Sequence, residues 1–487
     1  MRKTRLALII PPVVMHQFRD TGMKNSLPNM GIAYLAANVD PERVEVIVLD
    51  CPVERITIEK LLKRLLEYKP DIAGLTANTF QINEAAITAA AIKKEMPDVT
   101  TLIGGYHTTP VPVETLKRFP SFDIAVYGEG EHTLQDLINT LAGSGSLSSV
   151  KGVCYRENGE ITLNPPRPLI TDMDSLAYPA FQLMPMTKYR GFYTLFLFRT
   201  RVGMVSTARG CPHQCAFCYK ITGSHYRIRS IDSVVEEIKR DIRDFKFDLL
   251  LITDETFALQ KNRARIFCEK LLQDGISKKF KWICQSRVDC VDLELLMLMK
   301  KAGCRVISYG IDSGNQEILD KIKKNMTLET AMNAIRWTKQ AGINADTNFI
   351  LGLPYETRRT IMDTINFALK LDSHTASFAI LTPFPGTEVA EMAKKGIGGL
   401  KLLTDDYSKY GKQVGGALEL KNIPRKELEK YQRSAYLRFF LRPSKFFRLF
   451  VVVDISMLFL MLWHTIRSCL KSDKRVTAED NNLQEKK

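Results

Sequence analysis

Cys211, Cys215 and Cys218 stand in the segment Arg209-Gly-Cys-Pro-His-Gln-Cys-Ala-Phe-Cys218, with three and then two residues between them. Three thiolates on one loop can bind three irons of a cubane and leave the fourth iron open to a small chelating ligand. A zinc knuckle is the competing chemistry and asks for a fourth Cys or His at a familiar spacing. His213 lies inside the loop and His225 seven residues beyond it. Of the ten cysteines, Cys51, Cys154, Cys268, Cys284, Cys290, Cys304 and Cys469 occur singly in apolar or strand-like surroundings and read as small core hydrophobes.

The elements that must carry this loop alternate regularly. Apolar runs at 6–10, 44–50, 72–76, 101–105 and 123–127 are separated by helical patterns near 31–38, 58–68 and 83–94, with another starting near 132. That order predicts a doubly wound parallel sheet, flavodoxin- or Rossmann-like, over residues 1–140, with ligands held at the carboxyl ends of its strands. Residues 141–195 read as a linker: a turn-rich start, a hairpin around Asn158-Gly159, and four prolines holding an extended crossing. From 196 to 395, strands at 204–207, 249–253, 281–285, 305–310, 345–351 and 377–381 interleave with helical patterns. Six such units predict a partial (β/α)6 TIM-like barrel with its chemistry on the loops after the strands. The cysteine loop follows the first of them.

Composition sets the broader limits. With 487 residues, 45% hydrophobic and 25% charged, the chain is a folded protein of two or three domains. Its start has only five apolar residues before Pro11-Pro12, which reads as a buried strand and not an export segment. Ten cysteines then point to a reducing compartment, the cytoplasm. The net charge of +15 allows an anionic partner: nucleic acid, a membrane surface or a carboxylated substrate. Part of the excess is local, with five cations and no acid from Arg433 to Arg448. Within the region 396–487, expected to be helical, an apolar run at 449–463 follows those cations. It is short of the roughly 20 residues that span a bilayer. It reads either as an interfacial membrane anchor or as a helical cap on the barrel, and the tail from 471 reads as disordered.

With these residues in place the chain resembles the radical S-adenosylmethionine (SAM) enzymes. The signature is CxxxCxxC with an aromatic residue before the last cysteine. In order, Ile252-Thr-Asp-Glu-Thr-Phe257 resembles the acidic strand-end motif near the SAM amino group, which implies roles for Asp254 and Glu255. Gly310-Ile-Asp-Ser-Gly314 is similar to the segment whose carboxylate meets the ribose, with Asp312 in place of the family's Glu and a shorter reach. Asn348-Phe-Ile-Leu-Gly-Leu-Pro-Tyr-Glu356 resembles the strand bordering the adenine, which implies roles for Gly352 and Pro354. Thr382-Pro-Phe-Pro-Gly-Thr387 resembles the closing barrel-end segment. The resemblance implies a 4Fe–4S cluster on Cys211, Cys215 and Cys218, a SAM chelated to its open iron, and a deoxyadenosyl radical that abstracts hydrogen from an unactivated carbon.

The first domain resembles the cobalamin-binding domain fused to many radical SAM proteins. The likeness rests on residues 29–37, Leu49-Asp50, 71–77, Ile103-Gly-Gly-Tyr-His-Thr108 and Tyr127-Gly-Glu-Gly-Glu131. It implies corrinoid contacts from Thr76, Gly104, Gly105, His107, Gly128 and Glu129, with glycine letting the backbone approach a bulky ligand. The Asp-x-His-x-x-Gly segment that supplies an axial histidine in many corrinoid proteins does not occur, and His107 is the one histidine near this edge in sequence. Both cofactors together imply methyl transfer from SAM through cobalamin to carbon. A cyclase of the anaerobic magnesium-protoporphyrin type, a hopanoid methylase and a non-enzymatic corrinoid sensor are the alternatives. The expected partners are a hydrophobic small-molecule substrate, first a bacteriochlorophyll-type tetrapyrrole, and a flavodoxin or ferredoxin as electron donor. Peripheral contact with the inner face of the membrane is compatible with this reading; nucleic acid is not expected.

Overall fold

The computed structural model describes residues 2–12, 27–143, 145–189, 200–411 and 416–445. The apolar run at 449–463, the tail from 471, Arg448 and Cys469 lie outside the described residues. Among the described residues, no helix is long and apolar enough to cross a membrane.

The mixed α/β architecture expected from the alternation is present as two parallel sheets. The first runs in the order β2-β1-β3-β4-β5-β6-β7. Strands β1 (Thr4–Ile10), β2 (Val44–Asp50), β3 (Ile72–Thr76), β4 (Thr100–Gly104) and β5 (Ile124–Val126) are parallel. Leu6, Ala7, Leu8 and Ile9 are all buried, so β1 is covered on both faces and reads as an unbroken apolar run. The 2-1-3-4-5 order places a topological switch point between β1 and β3, where ligands of such sheets sit.

The hairpin around Asn158-Gly159 forms, but it does not stand apart as part of a connector. β6 (Val153–Glu157) pairs antiparallel with β5, and β7 (Glu160–Leu163) with β6, which extends the first sheet. Alternation of Val153 and Tyr155 with Cys154 buries both faces of β6, and that burial draws the hairpin onto the sheet edge.

The second sheet contains β8 (Val202–Val205), β11 (Leu249–Ile252), β12 (Lys281–Ser286), β13 (Cys304–Asp312), β14 (Asn344–Leu351) and β15 (Thr375–Ile380), each parallel to its sequence neighbour. Here burial alternates. Ala345, Thr347, Phe349 and Leu351 of β14 are buried on the helix side, whereas Asp346, Asn348 and Ile350 are half-buried on the other face, the barrel lumen. The floor of the lumen is apolar: Val202, Leu249, Ile283 and Val306. One wall is polar, where Ser308 and Thr375 donate to Asp346 at 2.9 and 2.7 Å and Asn348 donates to Ser308 at 2.8 Å.

The region after 395 is only partly helical. A two-stranded antiparallel sheet, β16 (Leu400–Leu402) and β17 (Leu418–Leu420), precedes the helix Arg425–Phe440. That helix lies along β15: Gln432 donates to the Phe378 carbonyl at 2.7 Å and Phe378 N–H to Tyr436 at 3.1 Å, with Leu428, Ala435 and Phe439 buried beneath it. Between β16 and β17 the chain crosses back to the first sheet and buries Tyr407 and Tyr410 in its core.

Candidate active site

The cysteine loop leaves the barrel through a short antiparallel pair, β9 (Ala208–Arg209) with β10 (Arg227–Ile228), in which Arg209 faces Arg227. Inside this hairpin Cys211 N–H donates to the Gly223 carbonyl at 3.2 Å, and Gly210 N–H to the Thr222 hydroxyl at 3.0 Å. Gly210 has φ of +94°, and a Cβ there would lie 2.1 Å from the His225 carbonyl oxygen. Only glycine permits that turn. Further along, Cys218 N–H donates to the Cys215 carbonyl at 3.0 Å, and Ala216 N–H to the Ile322 carbonyl at 3.0 Å, which docks the loop on the barrel mouth.

All three cysteines are free thiols; Cys211 and Cys215 are half-buried and Cys218 exposed. Among the described residues no group of three or more His, Cys, Asp or Glu side chains converges on one ion position. A cubane needs no such convergence, because each thiolate binds a different iron. Burial raises the Cys215 thiol above its ordinary range, and the Lys324 ammonium opposes that rise. Three unpaired thiols on one docked loop fit a site-differentiated cluster.

Lys324, which sequence reasoning did not single out, is buried beside these cysteines and ion-paired to Asp312. Asp312 sits at a register shift in β13 with φ of +69°, a conformation that Asp tolerates better than most residues. Its carboxylate is therefore held by Lys324 within electrostatic reach of Cys215 and Cys218. A cation here stabilises the more negative, reduced cluster. Lys324→Met should lower the potential of a cluster held there by on the order of 100 mV, since one charge several ångströms away at an effective dielectric near 20 is worth about 2–4 kcal/mol. An anaerobic redox titration of the cluster checks this, and an unchanged potential would mean that Asp312 alone uses the ammonium.

The other expected SAM-side residues divide by burial. Asp254, just beyond β11, is 1% exposed and accepts from Thr207 N–H at 2.7 Å, Ala208 N–H at 3.1 Å and the Thr207 hydroxyl at 2.5 Å. Its carboxylate thus fixes the point where the cysteine loop departs and is not turned toward open space. Glu255 is exposed and accepts from Thr222 of that loop. Gly352 has φ of +82°, and its N–H donates at 2.7 Å to Glu356, which also accepts from Leu353 N–H at 3.1 Å. Burial pushes the Glu356 carboxyl up to about 8. This carboxyl locks the turn that holds Gly352, Leu353 and Pro354, whose far side meets Gly398.

On the first sheet, Thr76, Gly104, Gly105 and Gly128 all lie at or just past the carboxyl ends of β3, β4 and β5. Gly105 (φ +103°) is required for a different approach from the one expected: a Cβ would lie 2.7 Å from the Thr76 hydroxyl, so the close neighbour is β3 itself. Gly128 (φ +78°) has nothing within 4 Å of its would-be Cβ and borders open space. The carboxyl edge is thus open beyond β5, on the same side of the sheet as the switch point.

Two residues do not face that edge. His107 is fully buried, edge-on to Tyr407 with ring centroids 4.5 Å apart, and burial pushes its imidazole down to about 4. It packs on Tyr407 with both ring nitrogens buried and without a hydrogen-bond partner. The Glu129 carboxylate is also committed. It accepts from Arg209 at 2.9 Å, from Arg227 at 2.7 Å and from Ile170 N–H at 2.8 Å. Burial alone would raise this carboxyl, but the two arginines outweigh it and hold it below the usual range. Glu131 accepts from Arg209 at 2.7 Å. The double Gly-Glu pattern is legible as a ligand loop in sequence, but its distant arginine partners are not.

The two edges meet. Tyr106, 60% exposed at the end of β4, lies within electrostatic reach of Glu255 and Cys218. Gly386 (φ +81°) is the contact point of three segments, since a Cβ there would lie 2.5 Å from Pro110 and 2.7 Å from Tyr219.

Comparison with known proteins agrees with this geometry. The model of the radical SAM superfamily matches residues 205–368, and that of the B12 binding domain matches 21–138. An uncharacterized methyltransferase of Pyrococcus horikoshii is 34% identical over 446 residues, covering 91% of this chain and 94% of that protein. The anaerobic magnesium-protoporphyrin IX monomethyl ester cyclase of Cereibacter sphaeroides is 30% identical over 82% of this chain and 64% of its own length. Among solved structures, the radical SAM methyltransferase TsrM from Kitasatospora setae, with cobalamin and an iron–sulfur cluster bound, has a TM-score of 0.71 at 18% identity. The match covers 93% of this chain and 90% of that one and is a likeness of fold.

Proposed function

The chain belongs to the cobalamin-binding radical SAM enzymes, and from that premise we propose that it transfers a methyl group from SAM, by way of cobalamin, to an unactivated carbon. The observation that carries this reading is the meeting of the cysteine loop with the carboxyl edge of the first sheet. When bound, the cluster with SAM supplies a radical able to abstract hydrogen, and the corrinoid supplies a methyl carrier.

The chain's own residues hold these parts in register. Cys211, Cys215 and Cys218 ligate iron, and Lys324 with Asp312 sets the charge beside it. Glu255, exposed beside the cysteine loop, is the side chain proposed to face SAM, with Gly352 and Pro354 in a buried supporting turn. Gly128 at the open strand end, with Thr76 packed behind Gly105, marks the side proposed for the corrinoid. Placing two reactants side by side removes most of the entropic cost of bringing them together.

For the substrate we propose a large, mainly apolar molecule with polar groups on one side, first a bacteriochlorophyll-type tetrapyrrole. The apolar floor and polar wall of the lumen favour it over a wholly apolar lipid, and the excess of cations suits propionate-type carboxylates. The second reading, oxidative ring formation, draws on the likeness to the cyclase. A flavodoxin or ferredoxin is the proposed electron donor. Of the basic stretch, Arg442 and Lys445 are engaged with Asp372 and with the Leu369 and Ser373 carbonyls, so no membrane contact is assigned to them.

Iron and cobalt per chain after anaerobic purification from cobalamin-supplied cells test the two-cofactor premise. About four irons with near-stoichiometric cobalt are expected; iron without cobalt would leave methyl transfer without its carrier. Incubation with deuteriomethyl-SAM and each candidate tetrapyrrole or hopanoid then separates methylation from cyclisation by whether label enters the product.

A further inference from the structure

We infer that Glu129 and Glu131 are positioning residues: they bolt the base of the cluster hairpin to the edge of the corrinoid domain and thereby fix the spacing between the two cofactors. This rests on the two-cofactor reading above. The bolt has few parts. Arg209 and Arg227 face each other across the β9–β10 pair, and Cys211 follows Arg209 by two residues. Both guanidinium groups reach Glu129, while Arg209 also reaches Glu131. Glu129 stands in the loop after β5 and Glu131 opens the helix Glu131–Ala142 that follows it, both beside the open edge at Gly128.

The lattice of bonds leaves little freedom. Besides its carboxylate partner, Arg227 donates to the Ile170 carbonyl at 2.7 Å and to the Thr222 carbonyl at 2.6 Å. Arg209 lies 5.0 Å from the centre of the Tyr34 ring, on the helix Met30–Ala37. The side chains of Glu129, Glu131, Arg209 and Arg227 are 4%, 7%, 11% and 6% exposed, so this is an interior contact between two domains. Buried charges cost desolvation that an apolar pair of the same size would not, which makes them poor devices for stability alone. What a forked guanidinium on a carboxylate supplies is a fixed distance and a fixed angle. A bonded route from the first cluster ligand to the corrinoid edge therefore runs Cys211, Gly210, Arg209, Glu129, Gly128.

The test uses full-length Glu129→Gln, Glu131→Gln and the charge-keeping Glu129→Asp, each loaded with iron and cobalamin, with wild type alongside. The readout is the relaxation enhancement that the reduced cluster imposes on the cob(II)alamin EPR signal, which falls steeply with separation. Hydrogen exchange over 208–211 and 222–229 in the protein before loading gives a second readout that needs no cofactor. The inference expects retained iron and cobalt in all variants. It also expects a weakened, multi-exponential enhancement in Glu129→Gln, a smaller change in Glu131→Gln, and faster exchange at the hairpin base. Enhancement equal to wild type in a fully loaded Glu129→Gln protein would overturn it, as would loss of cobalt with iron kept, which would make Glu129 a corrinoid contact. Wild-type protein that takes up iron but no cobalt would instead remove the two-cofactor reading and this inference with it.

Discussion

Cys215→Ala should eliminate deoxyadenosine formation, a fall of at least about a thousandfold or about 4 kcal/mol in barrier, with the barrel still folded. Cys215 sits in the middle of the loop, where the Ala216 amide docks it on the barrel. A cubane deprived of one of its three thiolates has no fixed open iron against which SAM can be chelated. Among the described residues no other barrel cysteine is poised to replace it: Cys268, Cys284, Cys290 and Cys304 are buried in the core. Cys304→Ala is the matched control and should keep its iron. Iron per chain and the EPR spectrum of the reduced protein decide the matter, and deoxyadenosine formed at the wild-type rate by Cys215→Ala would end the cluster assignment.

A single methyl group at position 210 should be nearly as damaging, without touching any ligand. In Gly210→Ala the new Cβ would lie 2.1 Å from the His225 carbonyl oxygen, 2.9 Å from its carbon and 3.3 Å from the Gly223 carbonyl oxygen. These are backbone atoms, so no side chain can rotate away. A non-glycine residue forced to this φ costs about 1–3 kcal/mol before the collision is counted, and about 2 kcal/mol shifts a population roughly thirtyfold. The hairpin opens and the Cys211 amide leaves the Gly223 carbonyl. Iron uptake should collapse while the thermal transition of the barrel moves little, because its core lies on the helix side of the sheet. Full iron in Gly210→Ala would show that the loop adopts its working shape only around the cluster.

What was legible in the sequence follows the range of the interactions that decide each feature. The parallel strands were legible because their signals are local: the unbroken apolar run of β1 and the alternation in β14 each lie within one strand. The cysteine loop was legible for the same reason, its three thiols falling within eight residues. The uses of Glu129, Asp254 and Lys324 were not. Glu129 finds its arginines 80 and 98 residues away, and Asp254 ties back to Thr207 across 47. Lys324 lies in a run of lysines that reads as a solvated face, yet the bulge at Asp312 draws one of them inside. The Asn158-Gly159 turn marks the hairpin 153–163 locally, but no local pattern attaches it to the first sheet; only the open edge of β5 does so.

Tyr407 and Tyr410 fill the core of the first sheet from a point beyond the end of the barrel, with Tyr407 donating to Glu114 and lying under Arg118. A ribosome releases the chain in order, so the corrinoid domain cannot close its core when its own strands have emerged. From the end of β7 at Leu163 to Tyr407 it must wait for about 245 further residues, which at the usual 5–20 residues per second is tens of seconds. During that interval the apolar faces of the helices Ile82–Glu95 and Pro112–Arg118 lack their final cover. The same closure means that residues 1–140 expressed alone would be an unfinished fold, and that the barrel must be complete before the first domain can be.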